Sequence, residues 1–154
     1  MIVKEKYFEI VDEALSHNFL GKIAVDATVG KGNDTLKLLK AVGKDGFVYG
    51  FDVQEEALSK ARVLLAGYDN YELFLDSHAN IDRLESFDLV IYNLGFLPGS
   101  DKKITTLRES TLESLRKAAE KINEAGIIIV VSYLGHENSF EEREGVDEFL
   151  KSLD

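Results

Sequence analysis

The stretch Lys22-Ile23-Ala24-Val25-Asp26-Ala27-Thr28-Val29-Gly30-Lys31-Gly32-Asn33-Asp34-Thr35 decides the fold. It begins as a short apolar run of strand length, from Lys22 to Ala27. A turn containing two glycines follows, and then a helix from about Asp34 to Val42, with Gly43 just past its end. Strand, glycine turn and helix in that order open a βαβ unit, and the alternation continues along the chain. Phe47 to Phe51 is a second strand after the Asp45-Gly46 turn, and Glu55 to Ala66 is a helix stopped by Gly67. Tyr71 to Leu75 is a third strand and Phe87 to Tyr92 a fourth. Thr106-Leu107-Arg108-Glu109 has the form of a capping box. It opens a helix to about Glu124 that buries Leu107, Leu115, Ala118 and Ile122 and ends at Gly126. Ile127 to Tyr133 is the most apolar strand. Flanking helices are expected over Tyr7 to Leu15 and around Val146, Phe149, Leu150 and Leu153. Strands alternating with helices predict an α/β fold: a mainly parallel twisted sheet with helices on both faces.

The chain has 154 residues, the size of one domain spanning 1–154, with no repeat or linker. It holds no cysteine, which excludes a disulfide framework, a Cys-based zinc site and a catalytic thiol, and fits a reducing cytoplasm. No histidine spacing suggests a metal site. The start carries no apolar signal-peptide core, and the longest apolar run, Ile127 to Val131, is too short to span a membrane. The net charge of −10 argues against a broad nucleic-acid-binding surface, because phosphate contacts dominate such affinity. The charge is uneven, however. Ser100 to Lys121 holds six bases, namely Lys102, Lys103, Arg108, Arg116, Lys117 and Lys121, against four acids. That stretch is the candidate for a polyanion.

In open α/β sheets, ligands bind beyond the carboxyl ends of the strands. After the first strand, Gly30 and Gly32 allow a ligand close to the backbone, and the helix start beyond them offers free N–H groups. Thr35 stands where a dinucleotide fingerprint has its third glycine, and no Walker loop is present. Asp52, twenty residues beyond Gly32, is placed to accept bonds from ribose hydroxyls, with Val53 beside it; equally, it could cap the next helix. Together these signals point to an adenosine-containing cofactor, either NAD or S-adenosylmethionine. Asp26, ahead of the glycines, suits a cationic methionine moiety and would repel a pyrophosphate. Asp76-Ser77-His78 follows the third strand, where the acid and hydroxyl could face adenine; His78 could also be a surface or capping residue. After the fourth strand comes Asn93-Leu94-Gly95-Phe96-Leu97-Pro98-Gly99. Asn93 there can accept hydrogen bonds from an amine and aim its lone pair at a methyl carbon, and Phe96 can stack on a base. The same stretch also reads as an ordinary Gly-Pro loop.

Three segments carry a resemblance. They are Asp26-Ala27-Thr28-x-Gly30-x-Gly32-x-Asp34-Thr35, the run from Asn93 to Thr106, and Tyr133-x-Gly135-His136. The chain resembles, from about residue 8 to residue 150, the small bacterial methyltransferase family labelled "putative rRNA methylase". Members of it are linked to methylation of the 5-aminomethyl group of 2-thiouridine at the tRNA wobble position. The resemblance implies a Rossmann-like class I methyltransferase fold and an S-adenosylmethionine site built on Asp26, Thr28, Gly30, Gly32, Asp34, Thr35, Asp52, Val53, Asp76, Ser77, His78 and Asn93. It implies a substrate mouth including Phe96, Pro98, Lys102, Lys103, Thr105, Thr106 and Tyr133. Asn93 would orient the amine, with His136, Asp101 or water taking its proton.

The sequence departs from the family at Asn33, where a histidine is usual, and at Leu134, where a proline is usual. Family members continue into a final antiparallel hairpin, which is expected to be absent from this sequence ending at Asp154. The fifth strand is then expected as an exposed apolar edge able to pair with a second copy. The expected partner is tRNA, with rRNA or a small amine as alternatives. Other readings are a cofactor-binding domain without activity and, more distantly, a nicotinamide oxidoreductase.

Overall fold

The computed structural model describes residues 2–4, 22–94 and 101–132, with side chains over 22–94 and 109–131. The elements in chain order are β1 (Ile2–Lys4), β2 (Ile23–Asp26), α1 (Asn33–Val42), β3 (Phe47–Asp52), α2 (Glu55–Leu64) and β4 (Tyr71–Leu75). A 3-10 turn (His78–Arg83), β5 (Phe87–Leu94), α3 (Asp101–Lys121) and β6 (Ile122–Ser132) complete them. The six strands form one sheet in the order β1-β6-β5-β2-β3-β4, and every pairing is parallel.

Strand residues alternate between two cores, which is why these strands read as nearly unbroken apolar runs. Val25, Val90, Tyr92, Ile128 and Val130 face one layer, where Ile81 of the 3-10 turn and Leu115 and Ala118 of α3 cover them. Ala24, Leu89, Ile91, Ile127, Ile129 and Val131 face the other, covered by Leu38, Leu39 and Val42 of α1. Val29, Leu58 and Ala61 make a smaller cluster beneath α2. On the first face the buried Tyr92 hydroxyl is satisfied by Ser114 Oγ at 2.7 Å.

Strands two to four and the helices between them lie within a few residues of the sequence expectation, and Gly43, at φ 72°, ends α1. Four differences are instructive. The helix expected from a Thr106 cap begins earlier, at Asp101, so Thr106 lies within α3 and does not cap it. An acidic residue at a helix start is itself favourable, and Asp101 supplies one. The same helix ends at Lys121, and Gly126 instead follows the irregular stretch at the head of β6. There the pairing jumps from Phe87↔Ile122 to Leu89↔Ile127, Ala125 has φ 67°, and a Cβ on Gly126 would lie 2.9 Å from the Asp88 carbonyl oxygen.

The 3-10 turn at His78–Arg83 was not expected; its six residues are too few to show a helical period. Finally, the expected open edge of β6 is covered. Ile2, Val3 and Lys4 pair with Ile128, Ile129 and Val130, so homodimerisation through that edge loses its basis. The flanking helices expected over Tyr7 to Leu15 and after Val146 lie outside the described residues.

At the opposite end of the sheet from the glycine turn, the Asp88 carboxylate fastens three segments. Oδ2 accepts from the Lys22 and Ile23 N–H groups at 2.9 and 3.0 Å, and Oδ1 accepts from Asn123 Nδ2 at 2.8 Å. This aligns the starts of β2, β5 and β6.

Candidate active site

The chain runs outward from β2 through β3 to β4, then returns to place β5 on the other side of β2. The carboxyl ends of β2 and β5 therefore flank the switch point of the sheet, where open α/β folds bind ligands. Asp26 ends β2 there and is fully buried. Its Oδ1 accepts from the Thr28 N–H at 3.0 Å and its Oδ2 from the Thr35 hydroxyl at 2.6 Å. Burial pushes the carboxyl up to about 7; the Thr35 bond opposes this and the nearby Asp34 charge adds to it.

Asn93, on β5, closes against this group from the other strand. Its N–H donates to Thr28 Oγ1 at 2.8 Å, and its Nδ2 donates to Asp34 Oδ2 at 2.9 Å. Asp34 lies in the first turn of α1 and is 8% exposed. Asp52, at the end of β3, accepts from the Gly30 N–H at 2.9 Å and from the Gln54 N–H at 2.8 Å. Each of its oxygens keeps a lone pair for a further donor.

The two glycines of the turn do different work. Gly30 has φ 54°, and among the described residues a Cβ there would meet only the Thr28 carbonyl oxygen, at 4.0 Å, which leaves open space above it. Gly32 has φ 92°, and a Cβ would lie 2.9 Å from that of Ala61. Gly32 thus permits α1 to pack on α2, while Gly30 leaves room for a ligand. Among the described residues no side chain caps the start of α1.

Asp76, after β4, is committed to its own loop. Its oxygens accept from Ser77 N–H, Asn80 Nδ2 and Arg83 at 2.8, 2.9 and 3.1 Å, and Arg83 also lies 3.9 Å above the Phe74 ring. Ser77 caps the 3-10 turn by accepting from the Ala79 N–H at 3.1 Å. The sequence reading missed Asn80 and Arg83 because their spacing from Asp76 means something only on a helical turn. His78 packs edge-on against Tyr92, with ring centroids 5.6 Å apart. Its Nδ1 is buried with no partner among the described residues, and burial pulls the imidazole down to about 4, so it is neutral near pH 7. Val53 and Leu75, at the ends of β3 and β4, are apolar yet 68% and 57% exposed.

Asp26, Thr28, Gly30, Gly32, Asp34, Thr35, Asp52 and Asn93 are thus linked around one strand-end site, with Val53, Ser77 and His78 on its β3–β4 side. Asp101, Lys102, Lys103, Thr105 and Thr106 have helical backbone at the start of α3. Phe96, Pro98, Tyr133 and His136 lie outside the described residues. Lys117, from the basic stretch, is engaged by Asp82, Glu113 and the Ala79 carbonyl oxygen at 3.1, 3.3 and 2.7 Å, which ties α3 to the 3-10 turn. Among the described residues no group of three or more potential metal ligands occurs, and no helix is long and apolar enough to cross a membrane.

Comparison with known proteins fits this architecture. A crystal structure of a "putative rRNA-methylase" from Clostridium thermocellum is 38% identical and superposes with a TM-score of 0.84, covering 100% of this chain and 86% of its own. A "putative methyltransferase" from Streptococcus mutans, solved in complex with SAH, is 36% identical with a TM-score of 0.79, over 95% of this chain and 81% of its own. The chloroplastic tRNA (mnm(5)s(2)U34)-methyltransferase of Arabidopsis thaliana is 37% identical over 86% of this chain and 54% of its own length. The chain thus spans about half the length of that relative, 54%. The family described as "Putative rRNA methylase" matches residues 48–154. With a Rossmann-like class I methyltransferase fold and that match over more than half its length, this chain belongs to the "putative rRNA methylase" family.

Proposed function

We propose that this chain is an S-adenosylmethionine-dependent methyltransferase that N-methylates the 5-aminomethyl group of 2-thiouridine at the tRNA wobble position. The observation that carries the reading is the junction of Asn93 with the glycine turn. The Asn93 backbone N–H is held by Thr28 and its carboxamide by Asp34, at the switch point, within one bonded group with Asp26. The SAH complex of the Streptococcus mutans relative supports the cofactor, and the name of the Arabidopsis relative supports the substrate.

The residues present fit the cofactor. Gly30 leaves open space, Asp52 has acceptor capacity for ribose hydroxyls, and Asp26 is a carboxylate suited to a cationic amino-acid moiety. Exposed Val53 and Leu75, and His78 Nδ1 with no partner among the described residues, fit a purine. When bound, S-adenosylmethionine supplies an activated methyl group. The protein's share is positioning: Asn93 orients the amine nitrogen, and burial excludes water. The amine reacts in its neutral form, so its proton leaves first, to His136, Asp101 or water. RNA contacts are assigned to Phe96, Pro98, Tyr133 and the start of α3 with Lys102, Lys103, Thr105 and Thr106.

Calorimetric titration with S-adenosylmethionine, with NAD as control, tests the cofactor. Binding of the former alone is expected. Radiolabelled methyl transfer into tRNA carrying 5-aminomethyl-2-thiouridine, compared with rRNA, tests the substrate. Incorporation into rRNA alone would move the assignment to the ribosome, and binding without transfer to either would leave a cofactor-binding domain. Asn93→Ala is expected to lower kcat roughly 10²-fold with cofactor affinity unchanged. Equal losses in both would refute the role given to Asn93.

A further inference from the structure

We infer that Asp34 and Thr28 are positioning residues for Asn93, and that they set the site to take a nucleophile carrying an N–H. The sequence placed both with the cofactor contacts, but the structure gives their side chains to Asn93. Thr28 Oγ1 accepts from the Asn93 N–H at 2.8 Å, and Asp34 Oδ2 accepts from Asn93 Nδ2 at 2.9 Å. The Thr28 N–H donates to Asp26 Oδ1, while Asp26 Oδ2 accepts from Thr35, the residue next to Asp34. The bonds close a ring through the end of β2, the first turn of α1 and β5. Each side chain in the ring is held at two points, by its backbone and by a neighbour, which is how a reactive geometry is kept fixed.

The ring also decides which way the carboxamide faces. A carboxylate only accepts, so the NH₂ limb of Asn93 must face Asp34. The acceptor Oδ1 is then the limb left for a substrate, and among the described residues nothing donates to it. An acceptor here binds an N–H and repels carbonyl, carboxylate and phosphate oxygens. A primary amine donates one hydrogen to Oδ1 and keeps its lone pair for the methyl carbon. Without Asp34 the carboxamide can turn over and offer its NH₂ limb to the amine, donor against donor.

The inference rests on the methyl-transfer reading, and the experiment separates the two. Asp34→Ala and Thr28→Ala are each compared with the variants that keep an acceptor, Asp34→Asn and Thr28→Ser. Measurements are kcat, KM for tRNA, calorimetric affinity for S-adenosylmethionine, and the side-chain amide resonances of Asn93, identified by their loss in Asn93→Ala. The alanine variants are expected to lose kcat by roughly 10²-fold with cofactor affinity unchanged. The Asn93 amide signal should shift in Asp34→Ala; Thr28→Ser should recover most of the rate, and Asp34→Asn, which still accepts but no longer only accepts, should recover part of it. The conservative Asp34→Asn and Thr28→Ser keep the test open if an alanine variant does not fold, since full loss of rate in both folded variants overturns the acceptor role. Loss of cofactor affinity in step with kcat would overturn the inference and return Asp34 to the cofactor. An unshifted amide signal in Asp34→Ala would overturn it as well. A wild-type chain that methylates neither RNA would instead overturn the functional reading beneath it.

Discussion

Replacing Asp26 with asparagine should make the protein more stable, and increasingly so as pH rises. The Asp26 carboxyl titrates at about 7 in the folded chain, against an ordinary 3.8. Between those values the folded chain holds a proton that the unfolded chain has released, so stability falls with rising pH. Below the lower value both states are protonated and the cost vanishes; above the upper value both are ionised and the cost is full and constant. Each pH unit in the window is worth ~1.4 kcal/mol, about 4 kcal/mol across it. That is a large part of the roughly 5–15 kcal/mol holding a domain folded. Asparagine keeps the shape and is neutral throughout, and the Thr35 hydroxyl can rotate to accept from its amide.

The assay is urea unfolding of both chains at a series of pH values from acid to mildly alkaline. Asp76 and Asp82 are held below the usual carboxylate range, chiefly by Asn80 and by Lys117, so their contributions run the opposite way. They are common to both proteins and cancel in the difference. That difference should grow by about 3–4 kcal/mol in favour of Asp26→Asn from acid to alkaline pH. A constant offset would reflect only the fit of the new side chain. A difference that does not change with pH would refute the placement of a desolvated carboxylate at the end of β2. The variant should also bind S-adenosylmethionine more weakly, an exchange of function for stability.

Gly32→Ala must adopt a left-handed backbone and crowd Ala61, which together cost about 2–4 kcal/mol. Scanning calorimetry should show a Tm lower by roughly 5–15 °C, and a drop of under a degree would deny the close packing of α1 on α2. Tyr92→Phe leaves Ser114 Oγ buried without its partner, at about 1–2 kcal/mol. Adding Ser114→Ala should recover most of that in a double-mutant cycle, and strictly additive losses would mean that the hydroxyls do not interact. Asp88→Ala removes the acceptor for two backbone N–H groups at the far end of the sheet. It should lower the urea midpoint by about 1 kcal/mol equivalent, with the methyl-transfer rate per folded molecule unchanged.

Much of the fold was legible because parallel strands buried on both faces are uniformly apolar and glycines marked their ends. Tyr71–Leu75 was placed to the residue on these grounds. What misled was local chemistry with two readings. Thr106 and Glu109 have a capping spacing, yet i and i+3 positions recur inside any helix, and α3 runs straight through them. The strand at Ile2–Lys4 is three residues long, too short to show a period, and it declares itself only by pairing with β6. In the site, Asp26, Asp52 and Asn93 could be found as polar residues ending apolar strands. That Gly32 serves helix packing and Asp34 grips Asn93 could not, because both depend on partners far along the chain.

The ring of bonds around Asn93 has a bearing on how the protein is made. Thr28 and Asn93 are 65 residues apart, whereas β2, β3 and β4 join near neighbours in sequence. Closing the long loop between β2 and β5 carries the larger entropic cost and is the slower event. An emerging or partly unfolded chain can therefore assemble the glycine turn and Asp52 while the strand bearing Asn93 is still undocked. The proposed amine site is therefore completed late in folding, so on refolding the recovery of methyl transfer should lag behind the protection of β3 amides from hydrogen exchange.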